Sequence, residues 1–172
     1  MRPARPASLL ALALLGLAAP MLSGCGLQPL YAGGSKGAVA QSLANIEVAP
    51  IPGQAGWLVR NAINDRLAAS GPGEKRYRLE IELDDQLTGF GVRTDNAVTR
   101  ERRTLRARYK LIDGTAVLLD ATAGSDAGID VVGSEYATIA AEQTALENLS
   151  NQIADQIVAR LALYAKRTQT EQ

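Results

Sequence analysis

The chain has 172 residues, with 18 basic and 18 acidic side chains, one cysteine and no histidine. The length is sufficient for one domain with a sizeable apolar core. The lack of histidine excludes a Ser/His/Asp triad, a Cys/His dyad and a zinc site with nitrogen ligands. The balanced charge argues against general affinity for nucleic acids. We therefore predict neither a catalytic residue nor a metal site, and we do not expect an enzyme.

Residues 1–24 have the order of a secretion signal. Arg2 and Arg5 precede an apolar run over residues 9–19, which is too short for a transmembrane helix. The following Leu22-Ser23-Gly24-Cys25 resembles the box at which bacterial lipoproteins are modified. We predict a lipoprotein signal peptide, cleavage before the cysteine, and a diacylglycerol and an N-acyl chain on Cys25. No other cofactor is expected.

Several acyl chains on Cys25 would anchor the protein durably, because a single chain binds a membrane only marginally. Gly26 stands where an aspartate would favour retention at the inner membrane, so we expect the periplasmic face of the outer membrane. The alternative is an ordinary buried cysteine after a signal peptide. The 148 residues that remain after cleavage carry 16 basic and 18 acidic side chains, a net charge of −2.

The rest of the chain divides into three parts. Residues 25–42 are rich in Gly, Ser, Ala and Gln, and we interpret them as the lipid anchor and a flexible tether. A single domain is predicted over residues 43–165. A polar tail is predicted over residues 166–172.

The domain begins with a short predicted strand over residues 43–48 and a predicted helix over residues 53–70. Val59, Ile63 and Leu67 recur every four residues, so they share one face of that helix. Trp57 is interpreted as an aromatic residue of the core or its rim.

Three strands follow in the predicted order. Residues 76–83 alternate between apolar and charged side chains, which is typical of a half-buried antiparallel strand. Residues 89–96 are predicted as a turn and loop. Residues 99–111 form the next predicted strand, with its core-facing side chains at Leu105, Ala107, Tyr109 and Leu111.

Asp113-Gly114 indicates a hairpin to a final strand over residues 116–123. A strict two-residue turn would place Asp120 on the core face. We therefore expect a bulge or a longer loop at residues 112–115. This irregularity would direct the side chains of Val117, Leu119 and Ala121 toward the core.

A long final helix follows, with Ser134 as its cap and an apolar stripe that continues to about residue 164. The stripe comprises Ile139, Leu146, Leu149, Ile153, Ile157 and Leu161. The predicted order is β-α-β-β-β-α. This order predicts an α+β two-layer sandwich, with two helices on one face of a four-stranded, mainly antiparallel sheet.

The opposite face of the predicted sheet carries a row of cations. Alternate residues of the third strand share one side, and five of these are basic: Arg100, Arg102, Arg106, Arg108 and Lys110. Arginine suits phosphate groups, so this row is our candidate binding site for the phosphorylated headgroup of lipopolysaccharide.

The alternative is a solvated face in which the cations are paired locally. Glu80 and Glu82 of the preceding strand could lie opposite arginines in a hairpin. Residues 75–110 contain ten basic and six acidic side chains, so we expect some cations to remain unpaired. Asp84-Asp85 could be a metal or acid–base pair, but a turn at the end of the strand is the simpler interpretation.

The residues together suggest a family. The stretch Leu22-Ser23-Gly24-Cys25-Gly26-Leu27-Gln28-Pro29-Leu30-Tyr31, the order of elements and the closing helix resemble the lipopolysaccharide-assembly lipoprotein family LptE, in its alphaproteobacterial form. The resemblance implies an outer-membrane lipoprotein that plugs the LptD β-barrel and binds lipopolysaccharide. It implies no enzymatic activity, and it transfers no binding residue to this chain.

Two other functions are compatible with the sequence. The first is an auxiliary lipoprotein of a lipid-transport ABC system, which would bind an envelope complex without plugging a barrel. The second is a small lipid-anchored enzyme that uses two carboxylates.

Overall fold

The computed structural model describes residue 34, residues 37–92 and residues 98–170. The predicted signal peptide and Cys25 lie outside the described residues. The described chain forms seven elements in this order: α1 (Ala38–Ala44), β1 (Ile46–Val48), α2 (Gly53–Ala68), β2 (Tyr77–Val92), β3 (Val98–Asp113), β4 (Ala116–Asp130) and α3 (Glu135–Thr170).

One sheet contains the four strands in their sequence order, β1-β2-β3-β4. β1 is parallel to β2, and the pairs β2–β3 and β3–β4 are antiparallel. The helices α1 and α2 pack against α3, and α3 lies along β3 and β4. The predicted α+β sandwich with a mainly antiparallel sheet is confirmed.

The short helix α1 was not predicted. It occupies part of the segment interpreted as a tether, and residues 43 and 44 are helical rather than extended. The helix α1 belongs to the core, because four of its residues are buried: Val39, Ala40, Leu43 and Ala44. Lys75 closes the end of α1, because its Nζ donates to the carbonyl oxygens of Ala44 and Ile46 at 2.7 and 2.9 Å.

The helix α2 confirms the predicted face, since Val59, Ile63 and Leu67 are all buried. Gly56 lies on the packed side, where a Cβ atom would be 2.6 Å from the carbonyl oxygen of Ile51. Trp57 is 64% exposed, which differs from its interpretation as a core or rim residue. Trp57 precedes Val59 by two residues, which corresponds to about 200° of rotation around a helix. Its side chain therefore points to the side of α2 opposite the buried Val59.

The strands β2, β3 and β4 are longer than predicted, and β4 ends at Asp130 rather than at residue 123. Leu105, Ala107, Tyr109 and Leu111 are buried as expected. The turn predicted at residues 89–91 is wrong, because β2 continues to Val92 and pairs with β3 up to Val98. Residues 93–96, predicted as a loop, lie outside the described residues.

The expected irregularity in the second hairpin is present. Gly114, at φ +59°, and Thr115 form the turn, and the register between β3 and β4 shifts between Leu111 and Ile112. Leu111 therefore pairs with Leu119, and Asp120 points away from the helices. Val117 was expected in the core but is 55% exposed, because it pairs with Ile112 on the far side of the shift.

The helix α3 extends to Thr170, so the predicted polar tail is helical up to that residue. The apolar stripe is buried from Leu146 to Leu161, whereas Ile139 is 54% exposed. At the amino-terminal end of α3 the buried residue is Thr138. Because adjacent residues of a helix point about 100° apart, Ile139 then faces away from the core.

Two halves of the sheet pack against different parts of the helical layer. The proximal half comprises β1 and residues 77–83, 107–113 and 116–123, and it is the half near α1 and α2. The distal half comprises residues 84–92, 98–106 and 124–130, and it is covered by the first part of α3. We call the side of the sheet that faces the helices the inner face, and the other side the outer face.

Candidate functional site

The predicted cation row lies on the outer face of the sheet. Because side chains alternate along a strand, the buried Leu105, Ala107 and Tyr109 place the even-numbered residues of β3 on the opposite side. Arg100, Arg102, Arg106 and Arg108 are exposed, and Lys110 is half-buried. The structure therefore brings all five candidate residues to one strand and one face.

The outer face as a whole is electrically balanced. Among the described positions 78–90, 100–110 and 120–130, the even-numbered residues include six basic and six acidic side chains. The basic residues are Arg78, Arg100, Arg102, Arg106, Arg108 and Lys110. The acidic residues are Glu80, Glu82 and Asp84 on β2, and Asp120, Asp126 and Asp130 on β4.

Three of the five candidate cations form ion pairs with β4. The Arg108 guanidinium donates to both carboxylate oxygens of Asp120, at 3.2 and 2.9 Å. Arg100 Nε lies 2.8 Å from Asp130 Oδ1, and Arg102 Nε lies 3.7 Å from Asp126 Oδ2. The hydrogen bond from Arg108 lowers the pKa of Asp120, and the hydrogen bond to Asp130 raises the pKa of Arg100.

Arg106 and Lys110 have no ion pair within 4.0 Å in the described part of the chain. Lys110 lies opposite Asp120 and helps to lower the pKa of that carboxyl. Arg106 lies opposite Asp84 on β2 and Gly124 on β4. Its side chain lies over the glycine, since a Cβ atom there would be 3.6 Å from Arg106 Cγ.

An open depression surrounds Arg106 on the outer face. Glu82, Asp84 and Arg108 contribute to its charged rim, and Thr122 and Gly124 line the side formed by β4. The depression thus presents one guanidinium that has no ion pair among the described residues, and the carboxylates of Glu82 and Asp84 lie on one side of it. Farther along β3, the Arg102 guanidinium lies 5.4 Å from the centre of the Phe90 ring, which gives that cation a second contact besides Asp126.

The inner face of the distal half carries a second polar cluster that the sequence did not predict. Arg103 donates from Nε and Nη2 to the Asp85 carboxylate at 2.9 and 2.7 Å, and from Nη1 to the carbonyl of Glu142 at 3.1 Å. Glu101 lies beside Glu142, and its Oε2 is buried without a hydrogen-bond partner among the described residues. Burial, followed by the charge of Glu142, raises the pKa of Glu101.

The interpretation of Asp84-Asp85 as a turn at the end of a strand is wrong. Both residues lie within β2, and alternation places Asp84 on the outer face and Asp85 on the inner face. They cannot converge on one ion or substrate. No group of three or more acidic or cysteine side chains in the described residues has the spacing to hold a metal ion.

Sequence reasoning missed the acidic residues of β4. Glu80 and Glu82 do lie opposite Lys110 and Arg108, as the hairpin pattern suggested. The prediction did not pair the arginines with Asp120, Asp126 and Asp130, although these residues recur at even positions, the last two beyond the predicted end of the strand. That even spacing was a usable signal, because it continues the alternation that placed the arginines on the outer face.

The described helices include none that is long and apolar enough to cross a membrane.

Comparison with protein families gives one assignment. Residues 43–161 match the family model described as "LptE: Lipopolysaccharide-assembly". This range runs from the end of α1 to the buried Leu161 of α3 and includes every strand. No curated protein sequence shows significant similarity to the chain.

Solved structures share the fold. A Caulobacter crescentus protein assigned as a lipoprotein is 26% identical, with a TM-score of 0.64, and the match covers 77% of this chain and 98% of that one. The rare lipoprotein B of Shewanella oneidensis is 11% identical, with a TM-score of 0.57 and coverage of 74% and 98%. A minor lipoprotein of Acinetobacter baumannii is 12% identical, with a TM-score of 0.58 and coverage of 70% and 92%.

Proposed function

Because the chain belongs to the LptE family of lipopolysaccharide-assembly proteins, we propose that it is the plug subunit of a lipopolysaccharide translocon. Its partner would be an LptD-like β-barrel of the outer membrane. The observation that carries this proposal is the family match over residues 43–161, together with a complete LptE-like sandwich over the same range.

The surface of the domain suits the lumen of a large barrel. Such a lumen is polar, and a plug inside it needs a rigid body with a polar exterior. The outer face offers alternating rows of carboxylates and guanidinium groups, and the core beneath it is closed by three helices. The role we propose is structural and ligand-binding, with no catalytic step.

We propose that acyl chains on Cys25 anchor the protein at the periplasmic side of the outer membrane. The sequence before that residue supports this proposal, and the anchor would hold the plug close to the barrel. Mass spectrometry of the mature amino terminus should find an acylated cysteine, and an unmodified thiol would contradict the anchor.

Among the five candidate cations, we propose that Arg106 makes the primary contact with a lipopolysaccharide phosphate. Arg100, Arg102 and Arg108 already bind carboxylates, so a phosphate would have to displace an existing partner. Arg106 has no ion pair in the described chain and lies over a glycine, where a ligand can approach its guanidinium. Lys110 would add a weaker contact at the proximal end of the row.

Native co-purification tests the partnership. The full-length lipoprotein should be extracted from outer membranes in mild detergent with a tag at its carboxyl terminus. A large β-barrel protein should co-purify in a stable ratio. Recovery of the lipoprotein alone, or with a permease-associated periplasmic protein instead, would contradict the plug function.

The substitution Arg106→Glu tests the ligand contact. We expect it to weaken the binding of purified lipopolysaccharide by about tenfold, since a charge-assisted contact is replaced by repulsion. The thermal midpoint should fall only slightly, since no ion pair is lost and the new carboxylate faces the exposed Asp84 across the strands. Both quantities can be measured on the full-length protein in detergent, by titration and by thermal unfolding.

Arg167→Glu is the matched control, since it makes the same charge change on an exposed residue of α3, the helix that packs on the inner face. It should leave lipopolysaccharide binding intact. Equal weakening by both variants would indicate a general charge effect. Unchanged binding by Arg106→Glu would contradict a site on β3.

A further inference from the structure

The two edge strands of the sheet differ in how their free backbone groups are hydrogen-bonded. On β4, the side-chain amide of Gln156 bonds to both backbone groups of Gly124, accepting from its N–H and donating to its carbonyl, each at 3.2 Å. Ser125 Oγ donates to Gln152 Oε1 at 2.5 Å. Side chains of α3 thus occupy part of the β4 edge, which is one way in which proteins protect an open strand.

Among the described residues, none covers the edge of β2 beyond the first residues of that strand in the same way. β1 pairs only with residues 77–79, and the last contact of this edge is the bond from Ala49 N–H to the Leu79 carbonyl at 2.9 Å. Backbone groups alternate in direction along a strand, so those of Leu83, Asp85, Leu87 and Gly89 point to the same side. In the described chain no hydrogen bond reaches them from that side.

The side chains beside this edge define what could bind there. On the inner face, Leu83 is half-buried and Leu87 is 45% exposed, so both offer apolar surface. On the outer face, Glu82 and Asp84 are exposed and have no ion pair within 4.0 Å in the described residues. A strand placed against this edge would therefore meet Leu83 and Leu87, with the ion-paired Asp85 between them, on one side and carboxylates on the other.

We propose that the open edge of β2, from Leu83 to Gly89, binds an extended segment of a partner protein as an additional strand. The segment would alternate apolar residues, which pack beside Leu83 and Leu87, with lysine or arginine, which pair with Glu82 and Asp84. Backbone hydrogen bonds would supply affinity, and the alternation would supply specificity. This surface adjoins the contact proposed for lipopolysaccharide, because Asp84 lies opposite Arg106 and Glu82 and Asp84 line the same depression.

A second copy of the chain does not fit the edge. Two β2 edges that met in an antiparallel pair would place Glu82 and Asp84 near the same acidic residues of the other copy. The β4 edge of a second copy carries Asp120, Asp126 and Asp130, and like charges in neighbouring strands are destabilising. The charge pattern thus favours a basic partner strand over self-association.

A synthetic peptide of alternating lysine and valine, blocked at both ends, is a suitable probe for the full-length protein in detergent. We expect binding, with slower hydrogen exchange at the amides of Leu83, Asp85 and Leu87. No slowing is expected at Asp126 or Gly128 on the opposite edge. Protection of the β4 amides instead, or no protection at β2, would overturn the proposal.

Leu87→Pro should abolish peptide binding. It removes an edge-facing N–H and leaves the hydrogen bonds to β3 in place, and proline is tolerated on edge strands. Leu87→Val is the matched control and should bind as the natural sequence does. Equal binding by the proline variant would overturn the proposal.

A pair of neutralising substitutions gives a second test that does not disturb the backbone. Glu82→Gln with Asp84→Asn should weaken peptide binding by about tenfold, whereas Asp126→Asn with Asp130→Asn on β4 should not. Equal effects of the two pairs would contradict the site. Loss of barrel co-purification alone would leave these results unchanged, so the two proposals fail separately.

Discussion

The proximal and distal halves of the sheet share three strands but are stabilised by different interactions. In the proximal half, Leu79, Tyr109 and Leu111 are almost fully buried under helices. In the distal half, the inner face carries the ion pair of Arg103 with Asp85 and the neighbouring carboxyls of Glu101 and Glu142. Leu105 and Ile129 are buried there, but β2 is exposed from Asp84 to Gly91.

This difference indicates that the two halves contribute to the domain in different ways. Apolar burial supplies most of the free energy of folding and acts without direction. Hydrogen-bonded ion pairs contribute less, because desolvation offsets much of their attraction, but they fix the geometry between a helix and a sheet. We therefore expect the proximal half to set the stability of the domain and the distal half to position surfaces for binding.

The largest effect should come from Ile63→Ala in the proximal core. Ile63 is fully buried on α2, so its truncation leaves a cavity and should lower the free energy of unfolding by about 2–5 kcal/mol. Denaturant unfolding measures this loss. Ile63→Val is the control and should cost about 0.5–1.5 kcal/mol. A negligible loss in the alanine variant would show that the proximal core is not the main source of stability.

A smaller effect should follow Arg103→Met in the distal half. The variant keeps much of the side-chain volume but loses the bonds to Asp85 and to the Glu142 carbonyl. We expect a loss of about 1–3 kcal/mol, since the side chains of Arg103 and Asp85 are 16% and 26% exposed and remain partly solvated. A double-mutant cycle with Asp85→Asn isolates the pair. A loss as large as that of Ile63→Ala would remove the contrast between the halves.

The smallest effect concerns the dependence of stability on pH. The pKa of Glu101 is raised, so the folded chain binds more protons than the unfolded chain between the ordinary and the raised pKa. Stability should therefore fall as the pH rises through that window, and Glu101→Gln should remove the fall. Unfolding measured at several pH values tests this expectation.

Asp155, near the proximal half, should change stability with pH in the opposite direction, and it serves as the control. The hydrogen bond from Arg66 lowers the pKa of Asp155, so its contribution should be lost as the pH falls through the lowered pKa. Asp155→Asn should flatten the profile only at the acidic end. The same pH profile for both variants would contradict the assignment of the two carboxyls.

Much of the architecture could be predicted because it depends on periods within single segments. Alternation identified the buried side chains of β3, and the four-residue recurrence identified the packed face of α2. The register shift near the second hairpin could also be anticipated, since only a shift keeps Asp120 away from the core. Family membership is shown by the match of the family model to residues 43–161.

The helix α1 could not be predicted in the same way. Its seven residues include three alanines, a glutamine and a serine, and this composition is also compatible with a linker. A helix this short has little intrinsic stability in water, so it depends on burial against α2 and α3. Only the packed structure provides that burial.

By itself, the sequence determined which residues share a face, because side-chain direction follows from the local period of a helix or strand. It placed Arg106 on the same side as Arg100, Arg102 and Arg108. Only the tertiary structure decided which of these cations are paired, since that depends on the register of β4 against β3 and on the carboxylates it brings opposite them. The same is true of the open β2 edge, which exists because β1 ends after three residues of pairing.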